Sequence, residues 1–141
     1  MRYEGRRISR LERRILKRAG ELVERFRLIE EGDRVMVCLS GGKDSYALLD
    51  VLLILQRRSP VPFELVAVNL DQGWPGYDQR KVASWLATKP VVSHLLRKEH
   101  APVIEEKMRG ETVPCPLCSR LRPGALYGLS AELQCTKVAL G

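Results

Sequence analysis

The chain has 141 residues, 45% hydrophobic and 29% charged, which describes one globular domain and argues against a disordered or fibrous chain. Its longest apolar stretch, Ala47 to Leu55, contains Asp50 and is far shorter than the about 20 residues a membrane span needs. The net charge is +7, and six of those seven charges lie in the first 20 residues, a basic arm that suits a polyanion such as RNA. No apolar segment follows the N-terminal arginines, so a secretory signal is not expected. Four cysteines in such a chain point to a reducing, cytoplasmic compartment.

Ile8, Leu11, Ile15, Ala19, Leu22 and Phe26 recur at spacings of three and four. This predicts an amphipathic helix from Ser9 to Glu30 with those residues as its apolar stripe. Arg10, Arg13, Arg14, Lys17 and Arg18 then form either a solvated face or one that meets RNA. Gly32 and Asp33 break the pattern. Val35 to Leu39 reads as a buried parallel strand, and a helix follows from Tyr46 to Gln56. Phe63 to Leu70 is the next strand, Asp78 to Ala87 a helix and Val91 to Leu96 a third strand. Arg97 to Arg109 shows no clear pattern. Arg122 to Gln134 reads as a helix, with Pro123 suited to its first turn, and Lys137 to Leu140 as a last strand. Strands alternating with helices mean βαβ units and an α/β fold with a doubly wound parallel sheet. Residues 1–32 form the basic helical arm and residues 33–141 the domain. A sheet that stops in an uncapped strand is expected to be a piece of a longer protein.

Ser40-Gly41-Gly42-Lys43-Asp44-Ser45 lies between the first strand and the following helix. The glycines permit close backbone approach and positive φ, and the helix directs free N–H groups and its positive dipole end at the same place. Phosphate suits that environment, with Ser40 and Ser45 as hydroxyl donors and Lys43 as a cation. Asp44 beside phosphate implies either a bridging Mg²⁺ or a helix cap. The loop is not a Walker A motif, because Val37 stands where that motif needs its first glycine. Asp71, at the carboxyl end of the second strand, is a candidate catalytic residue or a turn residue before Gly73. The ends of the first, second and last strands are expected to meet at one crevice.

Pro114-Cys115-Pro116-Leu117-Cys118 places two thiols at a spacing that lets both face one metal. Two ligands complete neither a zinc site nor an iron–sulfur cluster. Cys135 is a poor third, since the intervening helix separates it from Cys118 by roughly 16 Å. Cys38 reads as a small core residue, and His94 and His100 have no ligand-like spacing.

The loop resembles the SGGxDS pyrophosphate-binding loop of the PP-loop ATP pyrophosphatases. Four blocks together extend the likeness: Val37 to Tyr46, Phe63 to Gln72, Cys115 to Arg122 and Thr136 to Gly141. Their order and spacing resemble the tRNA 2-thiocytidine synthetase family from Glu31 onward. The resemblance implies an ATP-dependent enzyme that places sulfur on C2 of cytidine 32 in tRNA. It implies ATP held by Ser40, Gly41, Gly42, Lys43, Asp44 and Ser45, with Asp44 near Mg²⁺ and catalysis drawing on Asp44 and Asp71. It implies a 4Fe-4S cluster on Cys115 and Cys118, whose third cysteine ligand this chain does not contain. It implies tRNA contacts from Arg13, Arg14, Arg120 and Arg122, a cysteine desulfurase-type sulfur donor and a homodimer. Two departures stand out: Pro123 replaces a more usual arginine, and Lys89 to His100 fits only loosely. The alternatives are a uridine thiolase or lysidine synthase of the same superfamily, in which a CxxC metal would be structural zinc, or a non-catalytic nucleotide- or RNA-binding fragment.

Overall fold

The computed structural model describes residues 2–3, 6–71, 73, 75–97 and 126–141. Two short strands, β1 (Arg2–Tyr3) and β2 (Arg6–Arg7), form an antiparallel pair that the hydrophobic pattern did not announce. Helix α1 (Arg10–Phe26) begins at Ser9, whose hydroxyl accepts from the Glu12 N–H while the Glu12 carboxylate accepts from the Ser9 N–H. This reciprocal cap satisfies two N–H groups that a helix start otherwise leaves open. Arg6 reaches the same carboxylate at 3.0 Å, and that bond is the main reason Glu12 is held down to about 2.

The predicted end of α1 is corrected by the structure. The helix stops at Phe26 rather than Glu30, because Arg27 takes a left-handed conformation (φ 48°, ψ 47°) and Leu28 N–H turns back to the Val23 carbonyl at 3.0 Å. The predicted stripe is also corrected. Leu11, Ile15, Leu22 and Phe26 are exposed, and the packed line runs through Leu16, Gly20 and Val23, roughly a quarter turn away. Gly20 lies on this line opposite Leu55 of the neighbouring helix, where even a Cβ would make only ordinary contact at 3.7 Å.

Four parallel strands form one sheet in the order β5-β4-β3-β6. They are β3 (Arg34–Leu39), β4 (Glu64–Asp71), β5 (Val92–Arg97) and β6 (Lys137–Leu140). The chain steps outward from β3 to β5, then returns to the other side of β3. Helices α2 (Lys43–Arg58) and α3 (Gln79–Leu86) cover one face with α1, burying Val35, Val37 and Leu39 against Leu49, Leu53, Val82 and Leu86. The opposite face buries Met36, Cys38, Val66 and Val68 under Leu126, from a further helix, α4, over residues 126–132. Helices on both faces make the sheet doubly wound, and β3, buried on both, is a continuous apolar run for that reason. Leu49 is wholly buried, so Leu49→Ala would cost about 2–5 kcal/mol.

The N-terminal ends of β3 and β6 are tied together. Asp33 accepts from Glu30 N–H at 2.7 Å and from the Thr136 hydroxyl at 2.8 Å. Thr136 N–H donates to the Arg34 carbonyl at 2.8 Å, and Arg34 N–H to the Thr136 hydroxyl at 2.9 Å. The Glu30 N–H above all, then Thr136 and Lys137, holds the Asp33 carboxyl below its usual range.

Candidate phosphate-binding site

Helix α2 begins at Lys43, not at Tyr46, so half of the Ser40–Ser45 segment is the first turn of a helix. Gly42 is its N-cap and supplies no side-chain bond, which leaves the helix start open to a ligand. Gly41 has φ +89°, a conformation that strains any residue with a Cβ. The N–H groups of Gly41, Lys43 and Asp44 meet no acceptor among the described residues.

The two serines hold this geometry from within. The fully buried Ser45 hydroxyl donates to the Gly42 carbonyl at 2.7 Å and accepts from Ser40 N–H at 3.3 Å. Ser40 Oγ accepts from Gly42 N–H at 3.3 Å and lies 3.4 Å from Ser45 Oγ. Ser45 is therefore occupied in shaping the loop, whereas Lys43 and Asp44 are exposed and face outward.

The sheet brings two further edges here. Leu39 pairs with Asn69 on one side, and Cys38 with Leu140 on the other. The strand order reverses between β3 and β6, the place where open α/β sheets receive ligands at their carboxyl ends. Gly141 packs directly on the loop, where a Cβ would stand 3.0 Å from the Ser45 Cα and 3.1 Å from the Asp44 carbonyl oxygen. Asp71 lies at the end of β4, and its Oδ1 accepts from Gly73 N–H at 2.8 Å in a tight turn.

Sequence reasoning missed Asn69, Tyr77 and Gln79. Asn69 is wholly buried and donates through Nδ2 to the Leu39 carbonyl at 2.8 Å and the Tyr77 hydroxyl at 2.7 Å. Gln79 donates to Asn69 Oδ1 at 3.0 Å and to the Leu96 carbonyl at 2.9 Å. One polar cluster thus joins the carboxyl ends of β3, β4 and β5. A signal was present: an asparagine inside Val66-Ala67-Val68-Asn69-Leu70 is out of place in a buried strand unless its amide is satisfied.

The remaining expected residues divide in two. Arg13 and Arg14 are exposed on α1. Cys115, Cys118, Arg120 and Arg122 lie outside the described residues. Cys135 packs against the α4 side of the sheet, where burial pushes its thiol pKa up, and Cys38 is a core residue. Among the described residues no group of three His, Cys, Asp or Glu could hold a metal, and no helix is long and apolar enough to cross a membrane. A cleft of about 640 Å³ lies at the other end of α2, lined by Val23, Ile29, Leu55, Arg58 and Phe63, away from the open helix start.

No family model matches the chain. It is 47% identical over 135 residues to the tRNA-cytidine(32) 2-sulfurtransferase of Shewanella amazonensis, covering 96% of this chain and 42% of that protein. It is 46% identical over 138 residues to the enzyme of the same name from Shewanella denitrificans, covering 98% and 43%. The chain is a homologue of these sulfurtransferases. It matches their N-terminal portion and spans under half of their length. A U34-tRNA thiolase from Methanococcus maripaludis, solved with its 4Fe-4S cluster, shares the fold with a TM-score of 0.72 over 91% of this chain and 44% of its own, at 22% identity. That protein bears on one expectation: its name pairs a uridine thiolase with an iron–sulfur cluster, so iron against zinc does not separate cytidine from uridine thiolases.

Proposed function

We propose that this chain carries the nucleotide-binding part of an ATP-dependent tRNA thiolase that forms 2-thiocytidine at position 32. The observation that carries the reading is the Ser40–Ser45 loop. It combines an uncapped helix start, three open N–H groups and Lys43 at the switch point of the sheet, in a homologue of cytidine sulfurtransferases. Those features suit the pyrophosphate portion of ATP. Mg²⁺ fits the donor set as well, because it takes one or two carboxylates and completes its shell with phosphates and water. Asp44 is the carboxylate at the loop, and Asp71 stands ready for the ribose, the metal or the acceptor base.

The chemistry then balances in two displacements. The C2 oxygen of cytidine attacks the α-phosphorus of ATP, the bond to the β-phosphate oxygen breaks, and pyrophosphate leaves. A sulfur nucleophile adds at C2, the C2–O bond breaks, and AMP leaves. Lys43 and the loop N–H groups stabilise the charge that builds on the departing pyrophosphate. Cys115 and Cys118, with a third cysteine ligand that this chain does not contain, would hold the 4Fe-4S cluster, which supplies the sulfur when bound. The sulfur originates from a cysteine desulfurase-type donor in the cytoplasm, and the working unit is a homodimer.

Arg13, Arg14, Arg120 and Arg122 contact the tRNA backbone.

The test uses the whole cluster-loaded enzyme of which this chain is proposed to be the nucleotide-binding part. It follows ATP turnover with tRNA transcripts that carry cytidine at 32 and uridine at 34, in the presence of sulfide. Pyrophosphate release with a 16-dalton mass gain on the cytidine is the expected result, because sulfur replaces oxygen. Thiouridine would move the chain to the uridine enzymes, and Mg-ATP binding without pyrophosphate release would make it a binding module.

A further inference from the structure

We propose that the Tyr77 hydroxyl donates a hydrogen bond to the phosphate-bearing ligand of the Ser40–Ser45 loop, and that Asn69 is the positioning residue that aims it. The inference rests on the nucleotide-loop reading above and adds a donor to it.

Proton ownership fixes the direction of each bond in the cluster. Gln79 Nε2 donates to Asn69 Oδ1, which settles which end of the Asn69 amide is oxygen. The other end is an NH₂ group whose two protons go to the Leu39 carbonyl and to Tyr77 Oη. An NH₂ group only donates, so Tyr77 Oη is the acceptor of that bond and keeps its own proton. No described residue accepts that proton. The hydroxyl is also close to the loop: a Cβ built on Gly41 would stand 3.6 Å from it, at the residue whose positive φ turns the chain around the open N–H groups. Asn69 is wholly buried and pinned at three points, so the phenol is presented at a fixed place beside a site that attracts anions. A neutral donor held this way adds a charge-assisted hydrogen bond to phosphate without adding a cation.

Titration calorimetry of the chain with Mg-ATP and with Mg-pyrophosphate tests this. Tyr77→Phe keeps the ring and is expected to weaken Mg-pyrophosphate about tenfold, the loss typical of one hydrogen bond to a charged group. Replacing Tyr77 with 3-fluorotyrosine, a stronger donor of nearly the same shape, is expected to tighten binding. A merely structural phenol would leave that affinity unmoved. Asn69→Ala is expected to weaken binding in the wild-type background and to cost nothing further in the Tyr77→Phe background. The proposal is overturned by a Tyr77→Phe affinity within twofold of wild type, or, where that variant does not fold, by a fluorotyrosine chain that binds no more tightly. If Lys43→Ala weakens binding while Tyr77→Phe does not, this inference falls and the loop reading stands. If the wild-type chain binds neither ligand, both fall.

Discussion

Gly141 and Ser45 touch through backbone alone: a Cβ on Gly141 would lie 3.0 Å from the Ser45 Cα. The end of β6 therefore packs on the first turn of α2 with no room for a side chain. Gly141→Ala forces either the helix start or the residue after β6 to move, because the obstructing atoms are main chain. The expected outcome is a several-fold rise in the Kd for Mg-ATP with a melting temperature close to wild type. An unchanged Kd would show that the loop tolerates the shift.

Gly41→Ala acts on the same loop through conformation rather than contact. The φ of +89° at Gly41 costs an L-residue about 1–2 kcal/mol. Urea unfolding is expected to show that loss, and Mg-ATP binding should weaken beyond what Gly141→Ala produces.

Asn69→Leu would keep the branched shape and remove the amide that joins the cluster, leaving only the Gln79 bond to the Leu96 carbonyl. The Leu39 carbonyl, the Tyr77 hydroxyl and the Gln79 amide would each lose a bond. A buried group left unsatisfied costs about 1–3 kcal/mol, so unfolding free energy should fall by at least that amount. A variant as stable as wild type would mean that water replaces the amide.

Acid should act at the start of α1 and at the turn that precedes β3. The bond to Arg6 holds Glu12 at about 2, and the Glu30 N–H keeps Asp33 below its usual value. Both folded values lie below the unfolded ones, so these groups stabilise the fold at neutral pH. That contribution is lost as pH falls below about 4.5 toward 2. Glu12→Gln and Asp33→Asn should flatten the acid limb of a stability–pH curve, and an unchanged limb would rule these groups out as its cause.

Arg13 and Arg14 are tested by substitution, because Ile8 and Leu16 are core residues and deleting the arm would remove them. Replacing both arginines with Gln should weaken tRNA binding and lower the log–log salt slope by about 2, one unit for each lost phosphate contact. An unchanged slope would leave them as a solvated face.

Local chemistry made much of this legible in advance. The run Val35 to Leu39, the glycines after it and the helix beyond them required a strand–loop–helix unit with an open helix start, and β6 lies where its apolar pattern placed it. Hydrophobic period reports which residues are apolar, and short-range spacing reports which backbone bonds can form. Neither reports which side of a helix meets the body of the protein. Leu11, Ile15, Leu22 and Phe26 make the stronger stripe on α1, yet the helix packs through Leu16, Gly20 and Val23. Asn69, Tyr77 and Gln79 likewise stand apart in the chain and become one cluster only when β3, β4 and β5 align. The sequence alone determined the loop and the parallel α/β class, since both follow from neighbours in the chain. Tertiary structure decided the face of α1 and the buried amide beside the loop, since both depend on which surfaces pack together.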